Sequence, residues 1–233
     1  MTHFPVLDRL AVLWFVICWA GYAVFADYMS RHRSTLLSVT GEYRLNWMRQ
    51  MLTRDNRMVD ASLIGNLLRS ISFFASTTIF IVLGLFTLLK YRDQASDILT
   101  AIPYATPTTP ILWEAKIFLL VVIFVYSFFK YTWSLRQYNY ACIVVGAAPA
   151  PQDRNAHFEE YAQNAAKLVT NAAKHFNMGL RGYYFGLAAL SWFLNAYAFM
   201  ASSAWVVLVL YRREFRSMAL KYLRNPTVFR IED

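Results

Sequence analysis

The chain has 233 residues; 58% are hydrophobic, 16% are charged, and the formal net charge is +9. This is too apolar for an ordinary soluble domain, and the positive excess, set beside apolar runs, reads as anchoring to anionic head groups rather than as nucleic-acid binding. The pattern predicts an all-α integral membrane bundle, a single membrane domain over residues 1–233, with four transmembrane helices and amphipathic cytoplasmic helices.

In chain order, the first span is expected over residues 10–28. The charges before it, Asp8 and Arg9, cancel, and positive charge follows it at Arg31 and Arg33. It therefore reads as an uncleaved helix, although Val24, Phe25 and Ala26 loosely resemble a cleavage site. The second span, 70–89, is free of charge until its end. The third, 115–134, is crowded by Lys116 and Lys130, and requires Lys130 to snorkel. The fourth, 183–211, holds 29 uncharged residues, about nine more than one crossing requires. One long tilted helix is the expectation; a re-entrant break near Asn195 or near Ser202 and Ser203 is the alternative.

Charge sets the orientation. Residues 30–69 carry seven Arg against three acids, 90–116 three basic against three acidic, and 130–181 six basic against three acidic. The positive-inside rule then predicts cytoplasmic connections over 30–69 and 135–181, with the N-terminus outside. The tail objects: residues 211–233 hold six basic residues against three acidic, yet four crossings would leave them outside.

The connections carry helical patterns of their own. Tyr43, Trp47, Met51 and Met58 recur at helical spacing with Arg44, Arg49, Arg54 and Arg57 between them, which suits a helix lying on an anionic surface. Asp60 reads as the N-cap of the helix entering span two. Pro103, Pro107 and Pro110 mark an outer turn. After the Pro/Ala linker at 147–151, Asp153 or Asn155 can cap a helix whose stripe includes Phe158, Tyr161, Ala162, Ala165, Val169, Ala172 and Phe176. Its alanine face would let another helix approach closely.

Chemistry-bearing motifs are sparse. His3, His32, His157 and His175 lie outside the spans without ligand-pair spacing, so no haem, metal or other cofactor is expected. Asp93 and Asp97 stand one turn apart and read as a solvated face, and Cys18 and Cys142 as buried structural thiols. No Walker loop, dinucleotide fingerprint, zincin motif or nucleophile elbow is present, and no enzyme activity is expected. Ser72 and Ser76 in span two, with Asn195 and Ser202 in span four, are candidates for an intramembrane polar site; helix-packing hydrogen bonds are the competing reading. Gly179, Gly182 and Gly186 form a small-residue surface for close helix packing, against another span of the same chain or against a second protomer. Arg136, Tyr138 and Asn139 after span three, with Arg181 before span four, could bind an anionic lipid or ligand, or simply anchor the helix ends.

Two segments, Phe129 to Asn139 (FKYTWSLRQYN) and Asn177 to Phe185 (NMGLRGYYF), resemble hallmark segments of the domain of unknown function 599 family. The span order and the arginine-rich first connection resemble that family too. The resemblance implies a multi-pass membrane protein of bacteria and plants with no assigned reaction.

Two functions follow as expectations. One is a homo-oligomer that conducts or transports a small solute through the polar positions of spans two and four. The other is an accessory or scaffold subunit of a larger membrane complex, held partly by lipid. A lipid-modifying enzyme would have to draw on Asp27, Glu114 or His175.

Overall fold

A computed structural model of the chain describes residues 5–92, 109–153 and 157–224. These are almost wholly helical, with no strand among the described residues. Helix α1 (Val6–Val16) passes through a π turn at Ile17–Gly21 into α2 (Tyr22–His32). Then come α3 (Leu36–Leu52), α4 (Met58–Lys90), α5 (Pro110–Gly146), α6 (Phe158–Leu190), α7 (Ala196–Phe215) and the short α8 (Met218–Leu223). Three stretches among the described residues are long and apolar enough to cross a membrane: Val6–Ser30, Met58–Lys90 and Pro110–Gly146. The proline turn at 103–107, the Asp93/Asp97 pair and the Asn155 cap lie outside the described residues.

Local signals explain most helix ends. Thr35 and Ser38 form a reciprocal capping box that opens α3, satisfying two orphan N–H groups. Pro110 occupies the first position of α5, where a missing N–H costs nothing. No proline or glycine interrupts α5 before Gly146, so Lys116, Lys130 and residues 135–146 all belong to one helix. Asp60 is not a cap. Helix α4 begins two residues earlier at Met58, and the fully buried Asp60 carboxylate instead accepts the Trp47 indole N–H at 2.6 Å and the Arg54 guanidinium at 2.9 Å.

Residues 183–211 do not form the single helix expected. Helix α6 ends at Leu190, a 3-10 turn covers Ser191–Phe193, and α7 starts at Ala196. Residues 188 and 202 would stand about 21 Å apart along one straight helix. Instead the Ser202 hydroxyl donates to the Ala188 carbonyl at 3.1 Å and lies 2.7 Å from the Ser191 hydroxyl. The chain has turned back on itself. Asn195 is the reason: its side-chain oxygen accepts the Ala198 N–H at 2.8 Å, capping a new helix where the old one stops. Asn195→Ala is expected to cost about 1 kcal/mol and Asn195→Asp much less, which thermal unfolding in detergent would resolve.

The chain divides into two compact units. The first comprises Met1–Arg31, Ser76–Phe129 and Gly179–Tyr211. Phe15 is at its centre, with ring centroids 5.7 Å from Phe185 and 5.1 Å from Phe199. The Phe199 ring stacks on Trp192 at 5.0 Å. These contacts run α6 antiparallel to α1 and α7 parallel to it, as a hairpin requires.

The second unit comprises His32–Ala75, Lys130–Met178 and Arg212–Asp233. Phe74, Tyr131 and Phe176 form a ring cluster with centroids 5.6 to 5.7 Å apart. The alanine face of α6 packs inside this unit: Ala162, Ala165, Ala172 and Val169 are buried, and the Ser134 hydroxyl of α5 donates to the Ala172 carbonyl at 2.7 Å. Met48, Met51 and Leu52 of α3 are also fully buried; of the stripe expected to lie on a surface only Met51 is, while Tyr43 and Trp47 are half-buried and Met58, at the start of α4, is exposed. The tail is tied into the same unit, with the Tyr43 hydroxyl donating to the Leu223 carbonyl at 3.1 Å.

Candidate functional site

The first unit holds a buried charge. Lys116 is 2% exposed, and its ammonium lies 5.7 and 5.6 Å from the ring centroids of Trp192 and Phe193. The Asp8 carboxylate acts on it electrostatically and also accepts the Trp192 indole N–H at 2.7 Å. A carboxylate and two aromatic faces thus offset the desolvation of one ammonium. The knot joins α1, α5 and the turn of the hairpin. Sequence reasoning treated Lys116 only as a weak point in a span; nothing in the local pattern names Asp8 or Trp192 as its neighbours.

The glycine surface is spent inside the chain. A Cβ at Gly182 would lie 2.1 Å from Ser127 Oγ, and one at Gly186 would lie 2.9 Å from the Phe124 ring. Gly179 is buried as well. The partner helix is α5, and the Ser127 hydroxyl is itself fastened to the Ile123 carbonyl at 2.9 Å.

Polar side chains of the first unit serve the helices they sit on or beside. Asn195 caps α7, Ser202 joins the two arms of the hairpin, and the buried Ser203 donates to Phe199 O at 2.6 Å. The Thr78 and Tyr183 hydroxyls meet at 2.7 Å, linking α4 to α6. Ser76 is exposed on α4, unlike the half-buried Asn195 and Ser202. Ser72, also exposed on α4, belongs to the second unit.

In the second unit, the segment 129–139 divides by face. Tyr131, Ser134, Gln137 and Tyr138 are buried, whereas Arg136 and Asn139 are exposed. Arg136 donates to the Tyr140 hydroxyl at 2.7 Å along its own helix. Arg136 and Asn139 thus share an outward face, while Tyr138 turns inward. There it neighbours Arg44, whose guanidinium is pushed below its ordinary range by burial and partly restored by Tyr138. Arg181, assigned to the first unit, lies over the Tyr22 ring at 5.4 Å.

Two further residues of the second unit have partners that the sequence did not point to. Arg57 donates to Ala148 O at 2.6 Å and to Pro149 O, pinning the Pro/Ala linker after α5. His175 packs against Trp133, and its Nδ1 is buried without a hydrogen-bond partner. Burial, followed by Lys130 and Lys174, holds this imidazole below its usual range.

The exposed Arg49 and Glu159 side chains pair at 2.5 Å. Its hydrogen bonds to Arg49, then to Gln163, bring the Glu159 carboxyl down to about 2. A depressed carboxyl adds stability that is fully present above its ordinary value and is lost as pH falls through about 2. Arg49→Gln is expected to return the Glu159 midpoint towards its ordinary value in an NMR titration, and 1 M salt to do part of the same. Global stability should hardly move, since exposed pairs contribute little.

Among the described residues, no group of three or more His, Cys, Asp or Glu could hold a metal ion. The model of one family, described as a protein of unknown function, DUF599, matches residues 10–219. Neither a curated protein nor a solved structure matches the chain.

Proposed function

Because the chain belongs to the DUF599 family of proteins of unknown function, we propose, from its apolar helices and its hydrogen bonding, that it is a non-enzymatic accessory or scaffold subunit of a larger complex in a bacterial inner membrane. The observation that carries this reading is where the polar side chains of the first unit go. Asn195, Ser202, Ser203, Thr78 and Tyr183 are consumed in a cap, in a backbone bond within one helix and in helix-to-helix bonds, which leaves them to packing rather than to a solute path.

The orientation we propose has three crossings and one re-entrant hairpin, because the hairpin arms, 179–190 and 196–211, are each shorter than the roughly 20 residues a crossing needs. The N-terminus is outside, and residues 32–69, 135–178 and 212–224 are cytoplasmic, with α3 and the first half of α6 as helices on that face. Every basic-rich segment then lies inside, including the tail that four crossings would have stranded. Single cysteines at Thr109, Gln152 and Lys221, in a background lacking Cys18 and Cys142, test it with a membrane-impermeant thiol reagent on intact cells. Labelling at 109 alone is expected; labelling at 221 from outside would overturn the re-entrant topology.

A gentle extraction from the native membrane tests the role. Larger subunits co-extracted in fixed ratio support it, and a lone symmetric assembly overturns it. The second reading, a homo-oligomeric channel or transporter, is favoured by Ser72 and Ser76, which stand one turn apart on the exposed face of α4. In that reading they line a path between protomers, and flux that survives Ser72→Leu with Ser76→Leu would remove it.

A further inference from the structure

The surface of the first unit carries a trough with closed ends. It lies between the π turn with its flanking helices and α7, has a volume of about 480 Å³, and is lined almost wholly by apolar groups. At one end the Trp14 indole N–H donates to the Met200 carbonyl at 3.1 Å. At the other, the Phe25 and Tyr211 rings meet at 6.3 Å. Between these two ties the walls stand apart because the facing residues are small: Gly21 has no heavy atom within 4 Å of where a Cβ would sit, and Ala204 lies opposite among the lining residues. The π turn displaces the helix at this point, a distortion that recurs at functional positions.

We propose that this trough holds one acyl chain of an anionic phospholipid, with the head group at the Tyr22 end. From Trp14 to Phe25 the helix rises about 16 Å, and the ties at both ends stop a longer partner segment such as a helix from running along the trough. Water gains nothing in an apolar recess that offers it few partners. A single extended hydrocarbon chain satisfies both the width and the chemistry. The head-group end is fixed by charge: Tyr22 lines the trough, and the Arg181 guanidinium lies over its ring. A cation at that position favours phosphate-bearing, net anionic lipid. The site rests on the first unit residing in the bilayer, which the cysteine labelling above reports independently; it does not depend on the scaffold role.

Because Cys18 is buried, a cysteine introduced by Ala204→Cys on the exposed wall of the trough supplies the readout. With Cys18→Ala and Cys142→Ala leaving it the sole thiol, delipidated protein in detergent is alkylated by a maleimide in the presence of phosphatidylglycerol or phosphatidylcholine. Phosphatidylglycerol is expected to slow alkylation about tenfold, the factor that corresponds to 1.4 kcal/mol of binding, and phosphatidylcholine far less. No protection by either lipid overturns the site, and equal protection by both overturns the anionic head group. Native mass spectrometry supplies the second arm. Ala204→Phe, which fills the trough, is expected to lose the retained lipid, and undiminished retention by that variant would place the lipid elsewhere. If that variant fails to fold, the alkylation series decides alone.

Discussion

Gly182→Ala is expected to destabilise the protein by about 2 kcal/mol, the middle of the range for overpacking a tight contact, and Ser127→Ala to return most of that loss. The added methyl would sit 2.1 Å from Ser127 Oγ but 3.4 Å from Ser127 Cβ. Removing the hydroxyl therefore leaves only a close van der Waals contact. The hydroxyl cannot easily swing aside without giving up its bond to the Ile123 carbonyl. Chemical denaturation in mild detergent, measured as a double-mutant cycle, would show strong coupling between the two sites. Additive losses would mean that α5 and α6 do not meet as closely as described. A change in oligomeric state without a change in stability would move the glycine surface to a protomer interface.

The second large effect concerns the buried ammonium. Asp8→Leu is expected to cost about 3 kcal/mol, because it leaves Lys116 buried without its carboxylate. Lys116→Met should cost less, since Asp8 is only half buried and keeps the Trp192 indole as donor. The pair changed together should approach wild type, as replacement of a buried ion pair by apolar groups is often neutral. If the double variant is as unstable as the sum of the singles, the two charges do not compensate each other.

Helix identity and the apolar spans were largely legible in the residues, because periodicity and length carry that information directly. Pro110, expected in a turn, and the Thr35 box, which was not anticipated, are local signals whose structural meaning does not depend on the rest of the chain. The hairpin was half legible. The surplus length of 183–211 and the misplaced charge of the tail both pointed to a break, and Asn195 was one of the capping residues within it, beside Ser202 and Ser203. A tilted helix nevertheless fitted the hydropathy equally well, since hydropathy does not distinguish one long segment from two short ones. Asp60 shows a different limit: the residue was singled out, but its partners Trp47 and Arg54 follow from tertiary packing, which overrode the cap preference. Lys116 and Asp8 mark the deepest limit, because a long-range charge pair leaves no spacing to read. Arg136, Tyr138 and Asn139 were grouped by sequence neighbourhood, and a helix necessarily spreads such neighbours around its circumference.

The interleaving of the two units along the chain bears on how the protein is made. The second unit is assembled from three separated pieces, 32–75, 130–178 and 212–233, and three of the junctions fall within the unbroken helices α4, α5 and α6. No contiguous fragment contains it, so it cannot be excised or expressed alone. During synthesis its core must wait: Tyr43 emerges early, yet its partner Leu223 follows 180 residues later. At elongation of about 5–20 residues per second, the early helices spend roughly ten seconds or more with buried-type surface exposed before the closing segment arrives. Insertion of the apolar helices therefore precedes completion of the second unit, and a truncation that removes only the last dozen described residues would be met by the cell's quality-control proteases as an unfinished protein.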